Sequence, residues 1–181
     1  PNVCRYGVNM SSLAVLVLAA GQGTRMRSGQ PKVLHELAGW PLLKHVLGAV
    51  DPLKPQRMII VTGHQAQLVE AALPLPSITW VRQNQQRGTG HAVQCALPAL
   101  EGFVGDLLIL NGDTPLVDAT TLQTFVGHHR RERRQLSVLS MTIEEPAGYG
   151  RVVRDAAGGL LKVVEEKDAD GKIREITEVN S

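Results

Sequence analysis

Leu13-Ala14-Val15-Leu16-Val17-Leu18-Ala19-Ala20-Gly21-Gln22-Gly23-Thr24-Arg25-Met26 decides the fold. Eight apolar residues run unbroken from Leu13 to Ala20 and stop at a glycine pair. A run that short and apolar on both faces reads as a buried strand of a parallel sheet. Glycines at its end let the chain turn tightly and bring backbone N–H groups to a phosphate. The loop belongs to the carboxyl edge of the sheet, where open α/β folds bind their ligands. Two familiar phosphate motifs are excluded. Thr24-Arg25 follows Gly23 where a P-loop needs Lys-Ser/Thr. The second strand ends Val61-Thr62-Gly63-His64, without the acid that a dinucleotide fold places on the ribose.

Outward from this stretch, the periodicity predicts a repeating strand and helix order. Pro41–Val50 has helical apolar spacing, Met58–Thr62 is a second buried strand, and Gln65–Leu73 is a helix stopped by Pro74. Ile78–Val81 is a short strand, and Gly88-Thr89-Gly90 opens a helix over His91–Leu97. Asp106–Leu110 is a third buried strand ending at Asn111-Gly112-Asp113, and Ala119–Arg133 is a helix with a charged end. The remainder is β-rich, with strands over Ser137–Ile143, Arg151–Arg154, Leu160–Glu165 and Arg174–Val179. The expected class is α/β, a mostly parallel Rossmann-like sheet with right-handed crossovers and a β-rich lobe. Without a linker between Gly63 and Asn180, one domain with two lobes is expected over 10–181, preceded by a tail over Pro1–Asn9, with Met10 a candidate start.

Composition excludes other classes. The 181 residues are 43% hydrophobic and 20% charged, a globular balance, with net charge +2, too small to argue for nucleic acid or an anionic membrane. The basic run His128-His129-Arg130-Arg131-Glu132-Arg133-Arg134 has no interleaved aromatics and reads as a solvated helix end. No apolar run reaches membrane-span length. Cys4 and Cys95 form no framework, and Cys95 reads as a small core residue, so a reducing, cytoplasmic setting is expected. The six histidines lack metal spacing, and no nucleophile elbow occurs.

Asp113 is delivered by a buried strand to the same edge as the glycine loop. One carboxylate plus substrate phosphates is an ordinary way to hold Mg²⁺. A turn or cap Asp before Pro115 is the competing reading, and the neighbouring glycine loop favours the metal.

The stretch from Leu18 to Met26, with Pro31-Lys32-Val33-Leu34, resembles the signature of sugar-nucleotide pyrophosphorylases. Gln83-Asn84-Gln85-Gln86-Arg87-Gly88-Thr89-Gly90-His91-Ala92, Gly148-Tyr149-Gly150-Arg151 and Val164-Glu165-Glu166-Lys167-Asp168-Ala169 narrow the match. Together they look like the uridylyltransferase half of the bifunctional bacterial enzymes that make UDP-N-acetylglucosamine.

The resemblance implies roles at matching positions. Leu18, Ala19, Ala20 and Gly21 would contact the nucleotide through backbone, and Arg25 and Lys32 would bind phosphates as the catalytic cations. Gln83, with Gly88 and Thr89, would hold uracil, the Gln amide pairing as donor and acceptor at once. Asn111, Gly112, Gly150, Glu165 and Asn180 would face the sugar and ribose, and Asp113 would bind Mg²⁺. Asn111 stands where that family often has Tyr. The implied substrates are UTP and N-acetylglucosamine 1-phosphate, serving bacterial cell-wall precursor synthesis. An oxygen of the sugar phosphate would attack the α-phosphorus directly, and an attacking anion needs no general base. In that family the pattern continues into a second metal ligand and a trimeric acetyltransferase β-helix. On this reading residues 10–181 are an incomplete domain, inactive or nearly so and monomeric by itself. Alternatives are a nucleotidyltransferase for another base or sugar, such as a thymidylyltransferase or a molybdenum-cofactor nucleotidyltransferase, and a non-catalytic nucleotide-sensing module.

Overall fold

The computed structural model describes residues 12–21, 23 and 28–180. The tail over Pro1–Asn9 and the predicted phosphate ligand Arg25 lie outside the described residues. The chain divides into two compact units, the first ending at Val126 and the second starting at Gly127, a boundary that falls inside a helix.

In the first unit the order is β1 (Ser12–Ala19), β2 (Glu36–Leu37), β3 (Trp40–Pro41), α1 (Leu42–Val50), β4 (Arg57–Thr62), α2 (Ala66–Ala72), β5 (Ile78–Arg82), α3 (Thr89–Ala96) and β6 (Gly105–Asn111). Helix α4 (Ala119–Arg131) closes it and runs across the boundary. Strands β5, β4, β1 and β6 lie in that order, all parallel. Strand β1 is paired on both sides. Its alternate residues feed two cores. Val15 and Val17 pack on one face with Leu43, Val46 and Val50 of α1, Val69 of α2 and Leu122 of α4. Leu16 packs on the other with Ile59 and Val61 of β4 and Ala92 and Ala96 of α3. A strand sandwiched this way must be apolar at every position, which is what Leu13 to Ala20 displays.

The same logic fails for the strand expected as buried over Asp106–Leu110. Strand β6 is at the edge of the described sheet. Leu108 and Leu110 belong to the core shared with α1 and α4, whereas Leu107 and Ile109 are 37% and 42% exposed. Helix α3 covers β1 and β4 on that face. Hydrophobicity of a run does not reveal how many of its faces are covered.

In the second unit β7 (Ser140–Thr142), β8 (Arg151–Arg154), β9 (Leu160–Val164), α5 (Gly171–Arg174) and β10 (Glu178–Asn180) follow. The sheet order is β7, β10, β8, β9, with antiparallel pairs. The strand expected over Arg174–Val179 is a correction. Its start is taken by α5, which Asp170 caps by accepting from the Ile173 N–H at 2.9 Å, so pairing begins only at Glu178. The strand expected over Ser137–Ile143 shortens to Ser140–Thr142.

Glu178 joins β10 to β8 through Arg154, whose Nε and Nη2 donate at 2.8 and 2.6 Å, and it accepts from the Ser140 hydroxyl at 2.6 Å. The Arg154 guanidinium, then Ser140, hold this carboxyl down to about 2 from 4.5. A carboxylate depressed in the folded state contributes stability above its unfolded value and loses it as pH falls through the folded one. The contribution of Glu178 is therefore present above about pH 4.5 and fades toward pH 2. Glu178→Gln is expected to lower the melting temperature at pH 6 and to converge with wild type near pH 2. A gap that stays constant across thermal melts over that range would refute the linkage.

Candidate functional site

The parallel order sends β1, β4 and β5 across the sheet in one direction and β6 to the other side of β1. The crevice outside the carboxyl ends of β1 and β6 is thus a topological switch point, the place where such sheets bind ligands. A cavity of about 360 Å³ opens there, within the first unit. Leu18, Ala20, Gly21, Lys32, Gln83, Gly88, Thr89, Asn111 and Asp113 line it, as do Val33, Gln86 and Ala92.

Each wall has a local cause. After β1 the chain leaves the sheet at Ala20 and Gly21 and returns through Pro31 into a 3₁₀ turn over Lys32–Leu34, whose Val33 and Leu34 are buried in the core. That anchoring fixes the start of the Lys32 side chain. Lys32 Nζ reaches Asp113 Oδ2 at 2.5 Å across 81 residues of sequence. The side chains stay 41% and 31% exposed, so the pair faces solvent and a ligand can reach it. Gly112, just before Asp113, donates its N–H to Leu18 O at 2.9 Å. A Cβ there would lie 3.1 Å from Leu18 O and 3.3 Å from Val33 Cγ1. Gly112 therefore supports the wall from behind, and Ala19 points into the core instead.

On the other side of β1, Gln83 follows β5 and is 4% exposed. Its Nε2 donates to Gly88 O at 3.0 Å and lies 3.0 Å from His91 Nδ1. Gly88 holds φ +95 at the start of α3, and its carbonyl also accepts from the Ala92 N–H at 3.2 Å. The Gln83 NH₂ thus has an acceptor in Gly88 O and a close neighbour in His91 Nδ1, both within the chain. Thr89 opens α3, where the first N–H groups of a helix have no partner within it.

Gln86 has no forecast in the residue pattern. Its Nε2 donates to Ala20 O at 2.7 Å and ties the loop after β5 to the end of β1. Its use depends on tertiary placement, and a Gln in a polar loop carries no signal of that. Gly63 makes the tie possible, because a Cβ there would lie 2.8 Å from Ala20 O and 3.0 Å from Gln86 Nε2. Gly63→Ala is expected to break the Gln86 link and weaken nucleotide binding about tenfold, the scale of one hydrogen bond plus a displaced wall. Calorimetric titration checks it, and unchanged affinity would show that the link is dispensable.

The second unit holds the remaining predicted residues. Gly150 and Asn180 are neighbours, with Asn180 N–H donating to Gly150 O at 3.1 Å. A Cβ at Gly150 would lie 2.6 Å from Asn180 Oδ1. Glu165 is exposed, and it is the adjacent Glu166 that is engaged, accepting from Arg151 Nη2 at 2.8 Å and from the Gly148 N–H at 3.2 Å. Arg151 and then Gly148 hold the Glu166 carboxyl below its usual range.

Among the described residues no three His, Cys, Asp or Glu side chains cluster as a metal site. No helix of the described residues is long and apolar enough to cross a membrane.

Residues 15–179 match the family model described as MobA-like NTP transferase domain. The chain is 50% identical over 173 residues to the bifunctional protein GlmU of Anaeromyxobacter dehalogenans (strain 2CP-C), covering 93% of this chain and 36% of that one. To the bifunctional protein GlmU of Corynebacterium diphtheriae it is 46% identical over 179 residues, covering 96% and 37%. The chain thus spans about a third of the length of these curated relatives. Among solved structures, UDP-glucose pyrophosphorylase complexed with UDP-glucose superposes with a TM-score of 0.71 at 19% identity, over 93% of this chain and 74% of that one. That likeness shows the fold and agrees with the parallel sheet. The chain belongs to the MobA-like NTP transferase family.

Proposed function

We propose that this chain binds UTP and transfers its uridylyl group to N-acetylglucosamine 1-phosphate, giving UDP-N-acetylglucosamine and pyrophosphate. The observation that carries the reading is the cavity at the switch point. It is lined by Gln83, whose Nε2 is bound to Gly88 O so that its carbonyl oxygen is the end offered to a base on this reading, and by Gly21 and the Lys32–Asp113 pair. An oxygen acceptor suits the N3–H of uracil and repels the N3 lone pair of cytosine. Cationic Lys32 suits phosphates, and the exposed backbone at Gly21 lets them approach.

Asp113 fits Mg²⁺. Its Oδ1 has no partner among the described residues, and Mg²⁺ is commonly held by one or two carboxylates with substrate phosphates. When bound, the ion would neutralise phosphate charge beside Asp113. In its absence Lys32 does so for Asp113 itself. On nucleotide binding Lys32 exchanges Asp113 for phosphate oxygens. An oxygen of the sugar phosphate then attacks the α-phosphorus, and the bond from that phosphorus to the bridging oxygen of the leaving pyrophosphate breaks. Positioning and charge neutralisation account for the rate.

The proposed role is bacterial, in cell-wall precursor synthesis in the cytoplasm, with acetylation of glucosamine 1-phosphate and trimerisation in a longer chain; similarity to relatives named bifunctional protein GlmU supports this reading. Gly150, Glu165 and Asn180 are proposed on the sugar side, and Arg25 as a second phosphate ligand. A thymine nucleotide is the second reading, because thymine offers the same N3–H. The test is pyrophosphate release by the intact gene product against panels of triphosphates and sugar 1-phosphates with and without Mg²⁺. Highest turnover with a pair other than UTP and N-acetylglucosamine 1-phosphate would sink the assignment.

A further inference from the structure

Gln83 can face the cavity with either end of its amide, and the two ends read opposite base edges. Its carbonyl oxygen would accept from a uracil-type edge, and its NH₂ would donate to a cytosine-type edge. Two groups inside the chain decide between them. Gly88 O, 3.0 Å from Gln83 Nε2, can only accept. The other is His91 Nδ1, also at 3.0 Å. Because Gly88 O fixes that end of the amide as the NH₂, the imidazole nitrogen facing it must carry a lone pair. The ring proton of His91 then sits on Nε2, which lies 3.9 Å from Cys95 Sγ, one helical turn along α3. Turning the amide over would set its oxygen against the Gly88 carbonyl, and against the His91 Nδ1 lone pair as long as the ring keeps its proton on Nε2.

We infer that His91, through its Nδ1 lone pair, locks the Gln83 amide with its oxygen toward the cavity and so sets the preference for uridine over cytidine nucleotides. This rests on the proposed reading of Gln83 as the base ligand. His91 is a positioning residue, since it acts through Gln83.

The experiment measures dissociation constants of UTP and CTP, a binding readout that does not depend on the sugar. The proteins are the intact gene product and its Gln83→Ala, His91→Phe and His91→Asn variants. Phe keeps ring volume and removes the acceptor. Asn restores an acceptor oxygen near the Nδ1 position. Losing one neutral hydrogen bond should lower the UTP-over-CTP ratio about fivefold in His91→Phe. His91→Asn should stay within about twofold of wild type, and Gln83→Ala should fall about tenfold or more. Nitrogen-15 shifts of the wild-type His91 ring should report the Nε2–H tautomer. That measurement decides the matter even if His91→Phe fails to fold. A lowered ratio in Gln83→Ala with a wild-type ratio in His91→Phe would overturn the role of His91 alone. An Nδ1–H tautomer, or an Asn variant no better than Phe, would do the same. An unchanged ratio in Gln83→Ala would remove Gln83 as the base ligand, and the role of His91 with it.

Discussion

Asp113→Asn is expected to lower turnover of the intact protein by on the order of a thousandfold while leaving its melting temperature within a few degrees of wild type. The large term comes from charge. Asn keeps the shape of the side chain and removes the anion that would hold a divalent ion against the triphosphate. Deleting one pre-organised electrostatic group from a site of this kind costs about a hundred to a thousandfold. The small term comes from exposure. The Lys32–Asp113 pair is 41% and 31% exposed, and exposed ion pairs contribute about 0 to 1 kcal/mol. The two expectations together separate a functional carboxylate from a structural one. A structural Asp would move stability at least as much as turnover. A further consequence follows from the 2.5 Å contact. With Asp113 neutral, Lys32 is released toward phosphate and one negative charge leaves the cavity. Metal-free UTP affinity should therefore hold or tighten as turnover collapses. Steady-state kinetics with Mg²⁺, beside titration without it, checks both. Turnover within tenfold of wild type would remove Asp113 from the chemistry.

The parts of this site that were legible in sequence are those dictated by the backbone. Strand β1 is apolar on both faces because two cores meet on it, and Gly21 marks where it leaves the sheet. Asp113 follows the strand that pairs with β1, so topology alone carries it to the same edge. The parts that escaped are those dictated by contact. Leu107 and Ile109 look as buried as Leu13 in a hydropathy pattern, and only the sheet order reveals β6 as an edge. Helix α5, capped by Asp170, takes Arg174 from the start of an expected strand, which pairs only from Glu178. Gln86 and His91 act through one hydrogen bond each, to Ala20 O and Gln83, and neither residue type signals such a role. Glu165 and Glu166 are adjacent acids with no distinguishing pattern, yet only the second pairs with a buried arginine.

That arginine carries the second large expectation. Arg151→Ala should destabilise the second unit by about 3 kcal/mol, whereas Arg154→Ala, three residues along the same strand, should cost about 1 kcal/mol or less. The two residues are identical and both are ion-paired, and burial separates them. Arg151 is 2% exposed, while the Arg154 side chain is 46% exposed. The Arg151 guanidinium donates to Tyr149 O, to Glu166 at 2.8 Å and to Arg174 O at 3.5 Å. It thereby joins the Gly148–Gly150 turn, the 3₁₀ turn over Glu166–Asp168 and the end of α5. Removing it leaves the partly buried Tyr149 and Arg174 carbonyls without this donor and a void the size of a long side chain. Glu166 is 38% exposed and can be hydrated once released, which holds the cost at the lower end of the buried-pair range. Arg151→Lys should recover less than half of the loss, because an ammonium cannot span three acceptors set around a planar fork. Hydrogen exchange at Val152 and Val179 reports this unit directly and needs no assumption about cooperative unfolding of the whole chain. Equal effects of Arg151→Ala and Arg154→Ala would show that burial does not decide the matter here. The expected difference would explain how Gly150 and Asn180, packed against each other beside Arg151, are kept in register for the sugar-side role proposed for them.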